Sequence, residues 1–285
     1  MKSNRVRCGS WLLVLLVTVA FGVPGVRAQE TAEKRYAVIV EMLELAGLKL
    51  QIGELGEIIA SVAERYQGRL SEADRTRVTG LIAGAYSTDK VYPEIIQAFE
   101  KQYNPTHLSG AMNWLKSPVG RKMTALEVEA ATQDSTEQMR SFNTDFRQLP
   151  EGRRATIDRL ANQLKAGDVL VNTVVITTTE MLKGIEVELP AARKISEEQM
   201  RAGVEAMRKQ LQGRYQELAR VSIAYTYRSL SETELEAGTR FYSTEAGQWL
   251  NRVGNEALVE AMGQAAREIG KGLASILREK RGIKS

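Results

Sequence analysis

The sequence predicts an all-α protein of two similar helical modules, set behind an N-terminal export signal. Three observations carry this reading. After residue 30, apolar residues recur at three- and four-residue steps along nearly the whole chain, the spacing that gathers them on one face of a helix. Only six prolines interrupt the 285 residues. Between them run stretches rich in Ala, Leu, Glu, Gln, Arg and Met, all good helix formers. Finally, a twenty-residue pattern occurs twice, as NPTHLSGAMNWLKSPVGRKM from Asn104 to Met123 and SETELEAGTRFYSTEAGQWL from Ser231 to Leu250.

The chain opens with the three-part layout of a secretory signal peptide. Lys2, Arg5 and Arg7 precede an apolar run from Trp11 to Val23, and Val26-Arg27-Ala28 offers a small-x-small cleavage site. The run is shorter than the roughly 20 apolar residues that span a bilayer, so cleavage after Ala28 and a periplasmic or secreted product are expected. Retention as an anchor is the alternative. Cys8 precedes the apolar run and is badly placed for lipid attachment. Removing residues 1–28 takes away Lys2, Arg5, Arg7 and Arg27 and no acid, leaving 35 basic against 35 acidic side chains. A nucleic-acid partner therefore has no support from net charge. Arg278 to Lys284 forms a modest basic tail, read as a helix end that complements its dipole. The mature chain holds no cysteine, so its stability rests on packing, and 257 residues suffice for one large core or two smaller ones.

Module 1 is expected over 29–149. Its first stripe is Tyr36, Ile39, Leu43, Ala46 and Leu50, and after a glycine-containing joint Ile58, Ile59, Val62 and Tyr66 continue it. Ser71-Glu-Ala-Asp74 resembles a capping box opening a helix to about Tyr86, and Thr88-Asp89 starts another through Ile95, Ile96 and Phe99. Phe142 to Arg154 reads as a linker with its turn at Pro150-Glu-Gly152. Module 2 follows over 150–285. Ile157, Leu160 and Leu164 stripe a helix that stops near Gly167. Val171 to Thr179 is β-branched and suits a strand, yet Leu170, Val174, Thr178, Met181 and Ile185 share one helical face, and helix is the reading adopted. Ser196-Glu-Glu-Gln199 caps a long helix striped by Met200, Val204, Met207, Leu211, Tyr215 and Leu218, with the methionines as core filler.

The repeated pattern has a structural explanation. In the second copy Ser231 and Glu234 form a capping box, Leu235 begins an apolar face reaching Phe241 and Tyr242, Thr244 caps the next helix, and Gly247 sits in its first turn. Glycine is costly there, so another backbone or a ring, Phe241 foremost, is expected close by. The first copy reaches the same end with Asn104-Pro105, Ser117-Pro118, Trp114 and Gly120. Thr106/Thr233, Leu108/Leu235 and Gly120/Gly247 are the identical pairs. Duplication and chance similarity of two helical hairpins both account for so few. The run from Glu234 to Gly247 resembles the bacterial domain-of-unknown-function family 2059, with its Glu-Leu, Phe-Tyr, Ser-Pro and Gly pattern; the likeness is good around 225–255, with a degenerate second copy around 100–125. Thr244-Glu245 departs from Ser-Pro, which the first copy keeps as Ser117-Pro118, and Trp114-Leu115 stands in the first copy for Phe241-Tyr242. The resemblance implies an exported helical protein and implies no activity.

Chemistry for catalysis is sparse. His107 is the sole histidine, so a multi-histidine metal site within one chain is excluded. It stands opposite Glu234 in the alignment, and a helix-start role is its plain reading. No Gly-x-Ser-x-Gly elbow, phosphate loop or dinucleotide fingerprint occurs, and no cofactor is expected. The residues singled out are Trp114, Phe241, Tyr242 and Trp249, as core rings or as the lining of a hinge groove for a partner helix or apolar ligand. The leading expectation is a non-enzymatic interaction or binding module with a protein or apolar partner, homo-oligomers included. A carrier or chaperone for lipids or apolar peptides, needing a cavity of roughly a few hundred cubic ångströms, is the second. A carboxylate-dependent hydrolase is the third.

Overall fold

A computed structural model describes residues 31–66, 71–187, 189–190 and 194–280. The expected signal peptide lies outside the described residues. Among them every regular element is an α-helix, as the apolar spacing predicts. Thr31 caps α1 (Ala32–Leu45) by accepting the Lys34 N–H. Gly47, at φ +65°, then turns the chain into α2 (Leu48–Tyr66). A side chain at that φ is strained, and a Cβ would also strike Val128 at 2.5 Å. Ser71 caps α3 (Glu72–Ala85) and Ser87 precedes α4 (Thr88–Lys101), with Pro93 inside the helix. There follow α5 (Pro105–Lys116), α6 (Pro118–Ala130) and α7 (Gln133–Ser141).

The stretch expected as a linker is itself helical. It holds α8 (Asn143–Gln148) and the start of α9 (Glu151–Leu164), with only Leu149-Pro150 between them. The helix α9 ends at Lys165 in the left-handed conformation (φ 51°), two residues before the glycine expected to stop it. Gly167 instead lies inside α10 (Ala166–Glu186), where a Cβ would press on Gln216, 2.9 Å from its Cα. The β-branched stretch is therefore helical from end to end. Thr173 and Thr177 return their hydroxyls to the carbonyls of Val169 and Thr173, satisfying their polar groups within the helix. Three glycines seat α10 on the last helix: Gly263, whose Cβ would meet Ile176 at 2.7 Å, and Gly184 and Gly270, each pressed against a backbone carbonyl across the interface. The remaining helices are α11 (Glu197–Thr226), opened by the expected Ser196–Gln199 capping box, α12 (Glu232–Ser243) and α13 (Glu245–Lys280).

Two pairs of contacts repeat. In the first part α1 packs on α4 and α5; in the second α9 packs on α11 and α12. The helix after each of these sets then crosses to the other part, α13 onto α4 and α5 and α6 onto α11 and α12. The cores follow this exchange. One joins Ile39, Ile95, Phe99 and Leu108 to Trp249 and Val253 of α13. Another joins Met123 of α6 to Ile157, Leu160, Tyr227 and Leu235. A third lies between α3 and the far half of α13, around Ile82 and Ile269.

Candidate functional site

Both copies of the repeated pattern fold into the same helix-break-helix joint. Ser117 Oγ accepts the Gly120 N–H (3.0 Å), and Thr244 Oγ1 accepts the Gly247 N–H (3.1 Å). Asn104 Oδ1 caps α5 through the His107 N–H (3.0 Å), while Ser231 and Glu234 complete a capping box on α12. A Cβ on Gly120 would drive into the carbonyl of Trp114, and one on Gly247 into that of Phe241. The close approach is thus to the aromatic residue's backbone, not to its ring.

The joints face each other. Trp114 and Phe241, at equivalent positions of the two copies, stack with ring centroids 4.7 Å apart and planes 8° from parallel. Lys122 forms an ion pair with Glu234 at 2.8 Å. Their equivalents, Trp249 and His107, are in ring contact at 6.1 Å. Reciprocal contacts of this kind are what a two-fold relation produces. Phe241 and Trp249 are buried, and Trp114 and Tyr242 are partly buried against the same cores. Trp114, Phe241 and Tyr242 pack ring to ring in the seam between the two joints, and Trp249 packs edge-on against Phe99. Trp249, whose indole N–H donates to the Gln102 carbonyl (3.0 Å), borders a cavity.

That cavity is a groove of about 1460 Å³ along α13. Its floor is one face of α13 from Glu245 to Lys271, a length of about 39 Å at the helical rise per residue. One wall is the stripe Asp168, Asn172, Ile176 and Glu180 of α10, and the end of α9 adds Asn162, Gln163 and Lys165. The opposite wall is the α4–α5 junction with Gln102, Asn104 and His107. Several charges here are paired within the protein. Arg252 donates to Gln102 Oε1 (2.6 Å) and approaches Glu256 (3.4 Å), and Arg267 donates to Glu180 (2.6 Å). Burial pushes the Glu180 carboxyl up, but hydrogen bonds from Lys183 and Arg267 outweigh it and hold the group below the usual carboxylate range.

Carboxamides are the distinctive groups. Asn251 donates to the Leu164 carbonyl (3.2 Å) and accepts from Asn255 (2.9 Å), which fixes the floor against the end of α9. Asn172 accepts from Arg208 and Asp168 from Gln212 and Gln216, so α11 buttresses α10 from behind. Capacity is left over. Gln163 Oε1 is buried without a partner. Among the described residues, the side chains of Asn162 and Gln264 make no hydrogen bond, and Asn172 Nδ2 and Asn255 Oδ1 are unused. Also among the described residues, no group of three or more His, Cys, Asp or Glu side chains is placed to hold a metal ion.

Residues 89–141 match the family described as an uncharacterized protein conserved in bacteria (DUF2059). The matched segment runs from α4 through α7 and contains the first joint. The match falls on the first copy, expected to be the degenerate one, and not on residues 225–255, where the likeness is expected to be best. No curated protein and no solved structure matches the chain.

Two features escape a reading of the sequence. The groove is assembled from α4, α5, α9, α10 and α13, and its carboxamides have no motif spacing. The other is a half-buried acid. The Glu127 carboxylate of α6 accepts the Tyr227 hydroxyl at the end of α11, beside Tyr242. Burial pushes Glu127 above the usual carboxylate range against the opposing hydrogen bond from Tyr227. It also pushes the Tyr227 and Tyr242 hydroxyls well up.

Proposed function

We propose that the protein is an exported, non-catalytic binding module whose groove along α13 holds one extended chain-like molecule. The observation that carries this is the combination of a long polar groove with unspent carboxamide capacity on three of its sides. Side chains such as Asn162 and Gln264 both donate and accept, which suits a ligand dense in polar groups. The groove's charged side chains include both signs, with Lys101, Lys165, Arg252, Arg267 and Lys271 against six acids. A strongly charged polymer of either sign therefore gains little there. Export rests on the layout of residues 1–28; intact-mass analysis of a periplasmic fraction is expected to give a chain beginning at Gln29, and a chain retaining Met1 would count against it.

The test of binding is native mass spectrometry of the protein purified from the cell envelope. A discrete adduct is expected on the wild type and not on Gln264→Trp, which fills the groove from an exposed position. Bare protein in both preparations would count against the reading.

A carrier of apolar molecules is the second reading, and a different cavity favours it. A pocket of about 330 Å³ lies between α2, α3, α10 and α13, walled by Ile58, Ile59, Val78, Ile82, Met181 and Leu273. Its size is that of a small-ligand site. An acyl-bearing adduct that survives Gln264→Trp and disappears in Ile82→Trp would favour this reading.

A further inference from the structure

We infer that the Ile82 pocket is a second binding site, separate from the groove, and that it takes a neutral amphiphile: an aliphatic body carrying one uncharged oxygen that pairs with the Tyr86 hydroxyl. The inference rests on the carrier reading of this pocket and leaves the groove aside. The lining comes from α2, α3, α10 and α13, and Tyr86, at the C-cap of α3, is its one polar side chain. Val78, Ile82 and Ile269 are buried and form the floor, whereas Met181 and Leu273 are half-buried and mark the mouth. Such a lining offers an entering molecule dispersion contacts and removes its apolar area from water. It offers nothing to a charge.

Tyr86 gives the pocket a chemical preference. The residue is only 7% exposed and lines the pocket, yet its hydroxyl makes no hydrogen bond among the described residues. Tyr225 and Tyr227, as deeply buried, donate theirs to Gln138 and Glu127. Tyr92, also unpaired, packs in the first core and borders neither cavity. An unpartnered buried hydroxyl carries a desolvation cost that a bound oxygen removes. Burial pushes the Tyr86 phenol above its ordinary value, so it stays uncharged and able to donate. Among the described residues, no charged side chain lines the pocket. Cations in adjacent turns are engaged elsewhere: Arg77 with Glu279, Lys183 with Glu180, and Lys271 on the groove side of α13. A carboxylate or ammonium drawn in beside Tyr86 would therefore be buried unpaired. An alcohol, ketone or ester oxygen meets the hydroxyl without that cost.

The test uses the full mature chain and titration calorimetry with octanol, octanoate and octylammonium. Octanol is expected to bind and to weaken about fivefold in Tyr86→Phe, the worth of one hydrogen bond. The two charged amphiphiles keep their heads in water at the mouth and are expected to be indifferent to that substitution. Ile82→Trp is expected to abolish binding of all three. Ile59→Trp, at a half-buried lining position, provides the block if Ile82→Trp melts early by circular dichroism. Octanol binding that is blocked by the Trp variant but unchanged in Tyr86→Phe would overturn the pairing and leave the carrier reading standing. A fivefold loss shared by octanoate or octylammonium, or binding of either without octanol, would overturn the neutral ligand. Binding insensitive to both Trp variants, or no binding of any of the three, would overturn the pocket as a site and the carrier reading with it.

Discussion

Gly120 and Gly247 show how much one hydrogen atom in place of a side chain can decide. Each lets a helix begin directly under the carbonyl of the aromatic residue in the last turn of the previous one. Gly120→Ala or Gly247→Ala is expected to destabilise by roughly 2–4 kcal/mol in denaturant titration, because the obstacle is backbone and cannot swing aside. Gly213→Ala, on an open face of α11 with nothing within 4 Å, is expected to stabilise by about 0.5–1 kcal/mol. The two acids flanking this region should respond to pH with opposite signs. Hydrogen bonds from Lys122 and from the Ser231 backbone hold Glu234 down to about 2. Its contribution is therefore present above the unfolded value of 4.5 and lost as pH falls toward 2, and Glu234→Gln should melt earlier than wild type at neutral pH but together with it near pH 2. Glu127 is shifted upward by burial. The folded state keeps its proton longer than the unfolded state, so stability declines as pH rises above 4.5, and Glu127→Gln should raise the melting temperature at pH 8 with no gain at pH 4. The capping roles of Ser117, Ser231 and Thr244 were legible because a cap and its partner lie three residues apart. Glu127 was not, since its burial is set by Tyr227 and Tyr242, a hundred residues on.

At the scale of the element, α10 was the hardest to read and is the most dependent on context. Val171 to Thr179 has the composition of a strand, and the helical face through Leu170, Val174 and Thr178 was the counter-signal. What settles the competition is α13. Its Gly263 and Gly270, with Gly184 of α10, allow the two helices to approach backbone to backbone, which no property of α10 alone reveals. Isolated helices rich in β-branched residues are marginal in water. A synthetic peptide of residues 166–186 is therefore expected to show little helical signal by circular dichroism, and strong helicity would mean that α10 needs no support from α13. The supposed linker at 142–154 was misread for a related reason. Pro150 stands just outside a helix start, where proline is tolerated, so it interrupts the chain for only two residues.

At the scale of the whole molecule, the two halves of the chain are joined by exchange. The second helix of each joint, α6 or α13, packs on the other half, and the joints meet through Trp114 on Phe241. The repeated pattern was visible in the sequence through a few identical residues, while its reciprocal packing was not, because equivalent positions make contact across more than a hundred residues. Residues 29–149 and 150–285 expressed separately are each expected to contain helix but to lack a sharp thermal transition, and to regain one on mixing. Cooperative melting of either half alone would show that the exchange is dispensable. The groove is likewise a property of the whole, with walls drawn from both modules.

Hydrogen–deuterium exchange on the protein purified from the cell envelope, compared with the same protein stripped of its adduct by unfolding and refolding, tests the central claim, that this groove is the binding surface. The account requires added protection at the α4–α5 junction, across the junction of α9 and α10, and along α13 from Glu245 to Lys271. Protection only elsewhere, or none along α13, would contradict it.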